Sequence, residues 1–157
     1  MWAKPSSETG SAGAAVDDSN NNAPSSPRSP AHARRDSAVR NPGRRFAQIV
    51  KLRPEHIAEY EKAHAAVWPE VLQQIRACNI QDYSIYHDKD SGILFASFKY
   101  VGYDYAGDME KMRENPKVRE WWQMTDGWQE SLVPGAKSSE SGSPPWWKEV
   151  KEVFYNP

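Results

Sequence analysis

The sequence predicts an α+β domain with the element order β-α-β-β-α-β, the split βαβ or ferredoxin-like arrangement, two copies of which close into a dimeric α/β barrel. Three observations carry this. Stretches that read as strands occur at 44–52, 82–88, 93–101 and 149–155, the second of them alternating with period 2. Stretches with helical spacing separate the first from the second and the third from the fourth, while only a short turn separates the middle two. The resulting antiparallel sheet has one face covered by helices and another that needs a partner, because strands apolar on both faces do not sit in water. A homodimer is the expected solution.

The elements follow in chain order. RRFAQIVKL (44–52) is rich in β-compatible residues and ends at Arg53-Pro54. Pro54 suits the first turn of a helix, and Glu55 complements the positive end of its dipole. The helix carries Ile57, Tyr60, His64 and Val67 or Trp68 on one side until Pro69 interrupts it. PEVLQQIRAC then reads as a second helical piece that buries Val71, Leu72, Ile75 and Cys78. In DYSIYHD (82–88), Tyr83, Ile85 and His87 alternate with Ser84 and Tyr86. DKDSG (88–92) is a turn, with Gly92 free to take positive φ. ILFASFKYV (93–101) completes the hairpin. A polar helix stops at Asn115-Pro116, KVREWWQM forms another, and EVKEVFY is the final strand.

The domain begins late. Residues 1–43 hold eight Ser, five Pro, four Asn and three Gly, with Trp2 the only aromatic. Such a segment buries too little apolar surface to offset the entropy of ordering it, and is expected to be a disordered tail ahead of a 44–157 domain. SSPRSP (25–30) and RRDS (34–37) in that tail have the look of kinase sites, although a plain solvated segment explains them as well.

Composition excludes several classes. Twenty basic and 21 acidic side chains leave a net charge of −1, so no global field draws nucleic acid or anionic membrane. No stretch approaches the run of about 20 apolar residues that spans a bilayer. The single cysteine, Cys78, fits a reducing compartment, and with no apolar leader the expected location is the cytoplasm. Metal-ligand spacing is absent: His32, His56, His64 and His87 form no HxH or HExxH pattern. No glycine-rich nucleotide loop occurs, and no cofactor is implied.

What remains is aromatic and polar. Tyr60, His64 and Trp68 stand four residues apart, neighbours on one helix face. Tyr83 lies on the hairpin, and Trp121-Trp122 and Trp146-Trp147 form adjacent pairs. Adjacent rings on a helix point about 100° apart, so one can pack inward while the other faces a cavity. Tryptophan faces stack on sugar C–H groups, tyrosine hydroxyls both donate and accept, and a histidine exchanges protons at cellular pH. Each residue also has an ordinary structural use: a hydrogen-bonded histidine, core tryptophans, a capping Asp126. Alone, the residues make an enzyme of a neutral polyol possible.

In sequence order, YEKAHAAVWPEV, DYSIYHD, REWWQMTD and EVFYNP resemble the L-rhamnose mutarotase family across residues 45–157. The resemblance implies a ferredoxin-like dimer that uses no metal and interconverts the α and β anomers of L-rhamnose or a related hexose. It implies that His64 is the proton donor and that Tyr60, Tyr83, Trp121 and Trp122 contact the sugar. Ala65-Ala66 stands where related sequences often have Asn-Pro, and Pro144 to Trp147 is a further departure; both bear on which sugar is preferred. The Gly/Ser-rich loop 137–145 is expected to act as a lid. The same barrel also suits a cofactor-free or haem-binding monooxygenase, with His64 as axial ligand, or a non-catalytic sugar-binding module. The motif match favours the mutarotase.

Overall fold

The computed structural model describes residues 42–157; the proposed tail and its kinase-like motifs lie outside the described residues, apart from Pro42 and Gly43. Strand β1 (Arg44–Leu52) leads through a single 3-10 turn (Pro54–His56) into α1 (Ile57–Ala65). Helix α2 (Pro69–Ala77) follows, then the hairpin β2 (Ile80–Asp88) and β3 (Ile93–Tyr100). Helices α3 (Tyr105–Glu114) and α4 (Pro116–Trp128) lead to two short strands, β4 (Gln129–Glu130) and β5 (Lys148–Val150). The sheet order is β2-β3-β1-β4, with β5 also on β1, and every pairing is antiparallel. This is the ferredoxin-like order that the pattern predicts.

Helix boundaries fall where backbone chemistry puts them. Pro69 has no N–H to continue α1, and Trp68 before it is extended (φ −58°, ψ 135°). The helix therefore ends at Ala65, and Trp68 leaves the Tyr60/His64 stripe that the four-residue spacing predicts. Asn115 divides α3 from α4: its side chain caps α4 by accepting from the Lys117 and Val118 amides, at 2.9 and 3.3 Å. Helix α4 runs past the predicted 117–124 to Trp128, carrying Trp121, Trp122 and Asp126 on one continuous element.

The two faces of the sheet differ as predicted. Phe46 opposes Phe98, Gln48 opposes Ala96 and Val50 opposes Leu94, all on the helix side. Two clusters fill that side: Cys78, Ile80, Phe98, Met112 and Val118 in one, Val50, Leu52, Tyr60 and Leu94 in the other. A bulge between Gln81 and Ser84, with Asp82 at φ +50°, sets the alternation of β2. Beyond it, Ile85 opposes Ala96 and His87 opposes Leu94, and the Tyr83 ring meets Phe98 edge-on at 5.5 Å. Tyr83, Ile85 and His87 thus share the helix side.

Two expectations need correction. The final strand spans 148–150 rather than 149–155, and residues 151–157 are exposed beyond the ladder. Side chains take over where the ladder stops: Arg45 donates to Glu152 at 3.1 Å and lies 4.6 Å over the Tyr155 ring. The place beside β1 is shared, β4 pairing with residues 51–52 and β5 with 47–49. Leu72, expected in the core, is 38% exposed, because its side of α2 forms the wall of a cavity.

One buried polar knot sits at the far end. Asp108 on α3 accepts from Asn79 Nδ2 (2.8 Å), Tyr100 Oη (2.8 Å) and Lys111 Nζ (3.0 Å). Those donors, Asn79 foremost, hold its carboxyl down to about 2. Its folded pKa lies below the unfolded value of about 3.9, so its contribution is present above pH ~4 and disappears as pH falls towards ~2. Thermal melts are expected to show Asp108→Asn less stable than the parent at pH 7, with the gap closing between pH 4 and 2.

Candidate active site

Between the sheet and helices α2–α4 lies a cavity of about 580 Å³, within the range of small-ligand sites. Its floor includes Gln48 and Phe98 from the sheet, and its apolar wall includes Val71, Ile75, Met109 and Met112 from α2 and α3. The strap joining β4 to β5 closes one side through Ser139, Gly142, Pro145, Trp146 and Trp147. The predicted lid segment therefore does border the cavity.

His64 enters from the last turn of α1. Its Nδ1 lies 2.9 Å from the Tyr60 carbonyl oxygen, one turn earlier. A carbonyl only accepts, so Nδ1 carries the proton and, in the neutral ring, Nε2 presents a lone pair. Burial lowers the pKa of His64 below its usual 6.5, and the bond to the Tyr60 carbonyl partly offsets this. At neutral pH the imidazole is mainly uncharged. Two rings hold its plane: Tyr60 stacks on it at 4.0 Å, and Trp121 meets it edge-on at 5.3 Å. Trp68, though off the helix, packs edge-on against the same Trp121 at 5.3 Å.

The other predicted residues divide into two groups. Tyr83, Trp121 and Trp122 line the cavity with His64. Both tryptophans of the pair reach it, although Trp121 is also a core residue at 6% exposure. Desolvation of its hydroxyl, with Tyr105 nearby, pushes Tyr83 up to about 12, even though two fifths of the residue opens toward solvent. Tyr60 is elsewhere. It packs behind His64 in the core with Val50, Leu52 and Leu94, outside the cavity walls, and its buried hydroxyl lies near the Gln129 side chain without a well-formed hydrogen bond. Burial foremost, and Tyr83 second, raise its pKa far above the usual 10. Tyr60 thus orients the histidine with its carbonyl and its ring.

Some wall residues escaped the sequence reading. Gln48 is a polar residue between Phe46 and Val50 on the buried face of β1, and that mismatch was its available signal. Tyr105 and Ser139 carried none. Trp146 and Trp147 stood out as a pair without a place; here they pack on the Val50/Leu52 cluster and line the cavity. Trp146 Nε1 donates to Gln129 Oε1 at 3.0 Å. Among the described residues, no group of three or more His, Cys, Asp or Glu could hold a metal ion.

Comparison with known proteins agrees with this geometry. Residues 45–156 match the L-rhamnose mutarotase family. The L-rhamnose mutarotase of Phocaeicola vulgatus is 46% identical over 71 residues, 45% of this chain and 65% of that protein, just under two thirds of its length. Alignment to the L-rhamnose mutarotase of Listeria monocytogenes serotype 4b extends further, with 33% identity over 111 residues, 71% of this chain and 96% of the relative. That of Bacillus subtilis is 30% identical over 112 residues, covering 71% and 97%. A crystal structure of L-rhamnose mutarotase from Formosa agariphila superposes with a TM-score of 0.55 at 25% identity, over 73% of this chain and 99% of that one. With the sheet order, the aromatic cavity and the family match in agreement over the same residues, the chain belongs to the L-rhamnose mutarotase family.

Proposed function

We propose that this protein is an L-rhamnose mutarotase, a carbohydrate isomerase that interconverts the α and β anomers of a monosaccharide. The observation that carries the reading is His64: a neutral imidazole, clamped through Nδ1, on the wall of a tryptophan-rich cavity in a chain of this family.

Mutarotation moves protons about one carbon. The anomeric hydroxyl and the ring oxygen are both bonded to C1, so one imidazole nitrogen can serve them in turn. Nε2 takes the O1–H proton as the C1–ring-oxygen bond breaks and C1=O forms. The imidazolium then gives that proton to the departing ring oxygen, which is the donor role the resemblance implies. Rotation about C1–C2 turns the other aldehyde face inward, and the same steps in reverse close the ring to the opposite anomer. Tyr83, which keeps its proton throughout the neutral range, and Gln48 hydrogen-bond the remaining hydroxyls. Trp121 and Trp122 stack on the sugar, and the Val71/Ile75/Met109 wall receives the 6-deoxy methyl group. Positioned acid–base catalysis of this kind contributes about 10² to 10⁴ in rate. Saturation transfer between the anomeric protons of L-rhamnose tests the assignment. Exchange accelerated by the protein supports it, and exchange at the buffer rate for rhamnose and related hexoses would sink it.

The enzyme works as a homodimer through the sheet face away from the helices. That face presents Phe95 and Tyr86, 39% and 61% exposed, beside Ile49 and Ala47, with Val153 and Phe154 of the terminal segment also uncovered. A single chain leaves this apolar surface in water. Phe95→Glu, which puts a charge on that face, is expected to shift the sedimenting species from two chains to one. The buried free thiol of Cys78 fits the cytoplasm, and no helix among the described residues is long and apolar enough to cross a membrane.

A further inference from the structure

We propose that Asp126 is a positioning residue that latches the 131–147 strap over the sugar cavity through Ser139, an inference that rests on the mutarotase reading of that cavity. Asp126 sits one turn beyond Trp122 on α4 and uses both carboxylate oxygens on one residue 13 positions later. Oδ2 accepts from the Ser139 amide at 2.7 Å and Oδ1 from the Ser139 hydroxyl at 2.6 Å. Both bonds are charge-assisted, the stronger kind.

The carboxylate is half-buried, and desolvation raises its pKa despite the two donors. A fold gains little from placing a carboxylate in such a setting unless its partner needs holding. What it holds is a cavity wall, since Ser139 and Gly142 line the site from this part of the strap. The remaining ties lie nearer the ends or are weaker. Ser131 Oγ donates to the Trp146 carbonyl at 2.5 Å, Trp146 is fixed to Gln129, and Arg119 approaches Glu140 at 3.5 Å with both side chains about two fifths exposed. Asp126 therefore controls the middle of the strap, and through it the wall that the bound sugar meets.

The test is saturation-transfer exchange measured against L-rhamnose concentration for the parent, Asp126→Asn, Ser139→Ala and the double variant. It is paired with limited trypsin cleavage at Lys137, an exposed residue two positions from the latch. Loss of a charge-assisted bond predicts KM raised about tenfold in Ser139→Ala and up to about a hundredfold in Asp126→Asn, with kcat falling far less. The double variant is expected to be no worse than the worse single one, because both changes open the same latch. Cleavage at Lys137 is expected to speed up in each variant and to slow when L-rhamnose is added to the parent. Unchanged KM and unchanged cleavage in the single variants overturn the latch. If Asp126→Asn does not fold, Ser139→Ala decides alone by the same criteria. A parent protein that fails to exchange rhamnose anomers would overturn the mutarotase reading instead, and the cleavage rates would still judge the latch.

Discussion

His64→Ala is expected to lose catalysed anomer exchange, by about 10² to 10⁴ in kcat, while its thermal stability stays near the parent's. The histidine is half-buried, and its imidazole hydrogen-bonds a carbonyl of its own helix, so truncation removes little of the core. His64→Gln sharpens the test, because its amide can fill the space and reach the same carbonyl but cannot cycle a proton. Activity retained in Gln and lost in Ala would make the residue a spacer and place the proton transfer elsewhere. The pH dependence has a definite sign. Nε2 accepts a proton only when the ring is neutral, and burial lowers its pKa below 6.5. Catalysed exchange should therefore be level at pH 7–8 and decline as pH falls through that lowered value. A decline beginning above pH 7 would contradict the buried, neutral histidine.

The second large effect is structural. Trp121→Ala is expected to cost about 3–5 kcal/mol of folding stability, the usual range for removing a large buried aromatic side chain. The ring is only 6% exposed and joins α4 to two other segments, meeting His64 and Trp68 edge-on at 5.3 Å each. Its removal frees the imidazole on one side, so activity should fall beyond what unfolding explains at temperatures where the variant remains folded. Trp121→Phe keeps an aromatic edge and should recover most of the stability. Denaturant titrations of the three proteins decide the matter. A loss below about 1 kcal/mol in Trp121→Ala would mean that the site relaxes around the gap.

Much of this architecture is legible in the chain because it depends on local chemistry. Pro54, Pro69 and Pro116 punctuate the helices through a missing N–H, and alternation along 82–88 groups Tyr83, Ile85 and His87 on one face. The candidate site is legible in part. His64, Tyr83, Trp121 and Trp122, the residues that the resemblance singles out, line one cavity. Tyr60 does not join the cavity wall, because i to i+4 spacing says that two residues are neighbours but not which of them faces the space. The Asp126–Ser139 pair is invisible in sequence: the end of α4, the short strand β4 and a stretch of loop without periodicity separate a carboxylate from its donors. The last strand is shorter than EVKEVFY predicts because β-compatible residue types favour extended backbone without specifying whether a neighbour offers a ladder to pair with.

The bulge in β2 has a consequence for how this chain tolerates change in length. Between Gln81 and Ser84, two residues of β2 stand opposite one residue of β3. From Ile80 onward, strict alternation would send Asp82, Ser84 and Tyr86 inward; the spare residue reverses parity, so Tyr83, Ile85 and His87 go inward instead. Any residue type that accepts Asp82's backbone conformation can occupy its place, but the place itself must exist. A deletion there would turn the strand inside out and swap a cavity-lining tyrosine for the side chains meant for the opposite surface. At this point the chain encodes orientation by counting residues, and their identities matter less than their number.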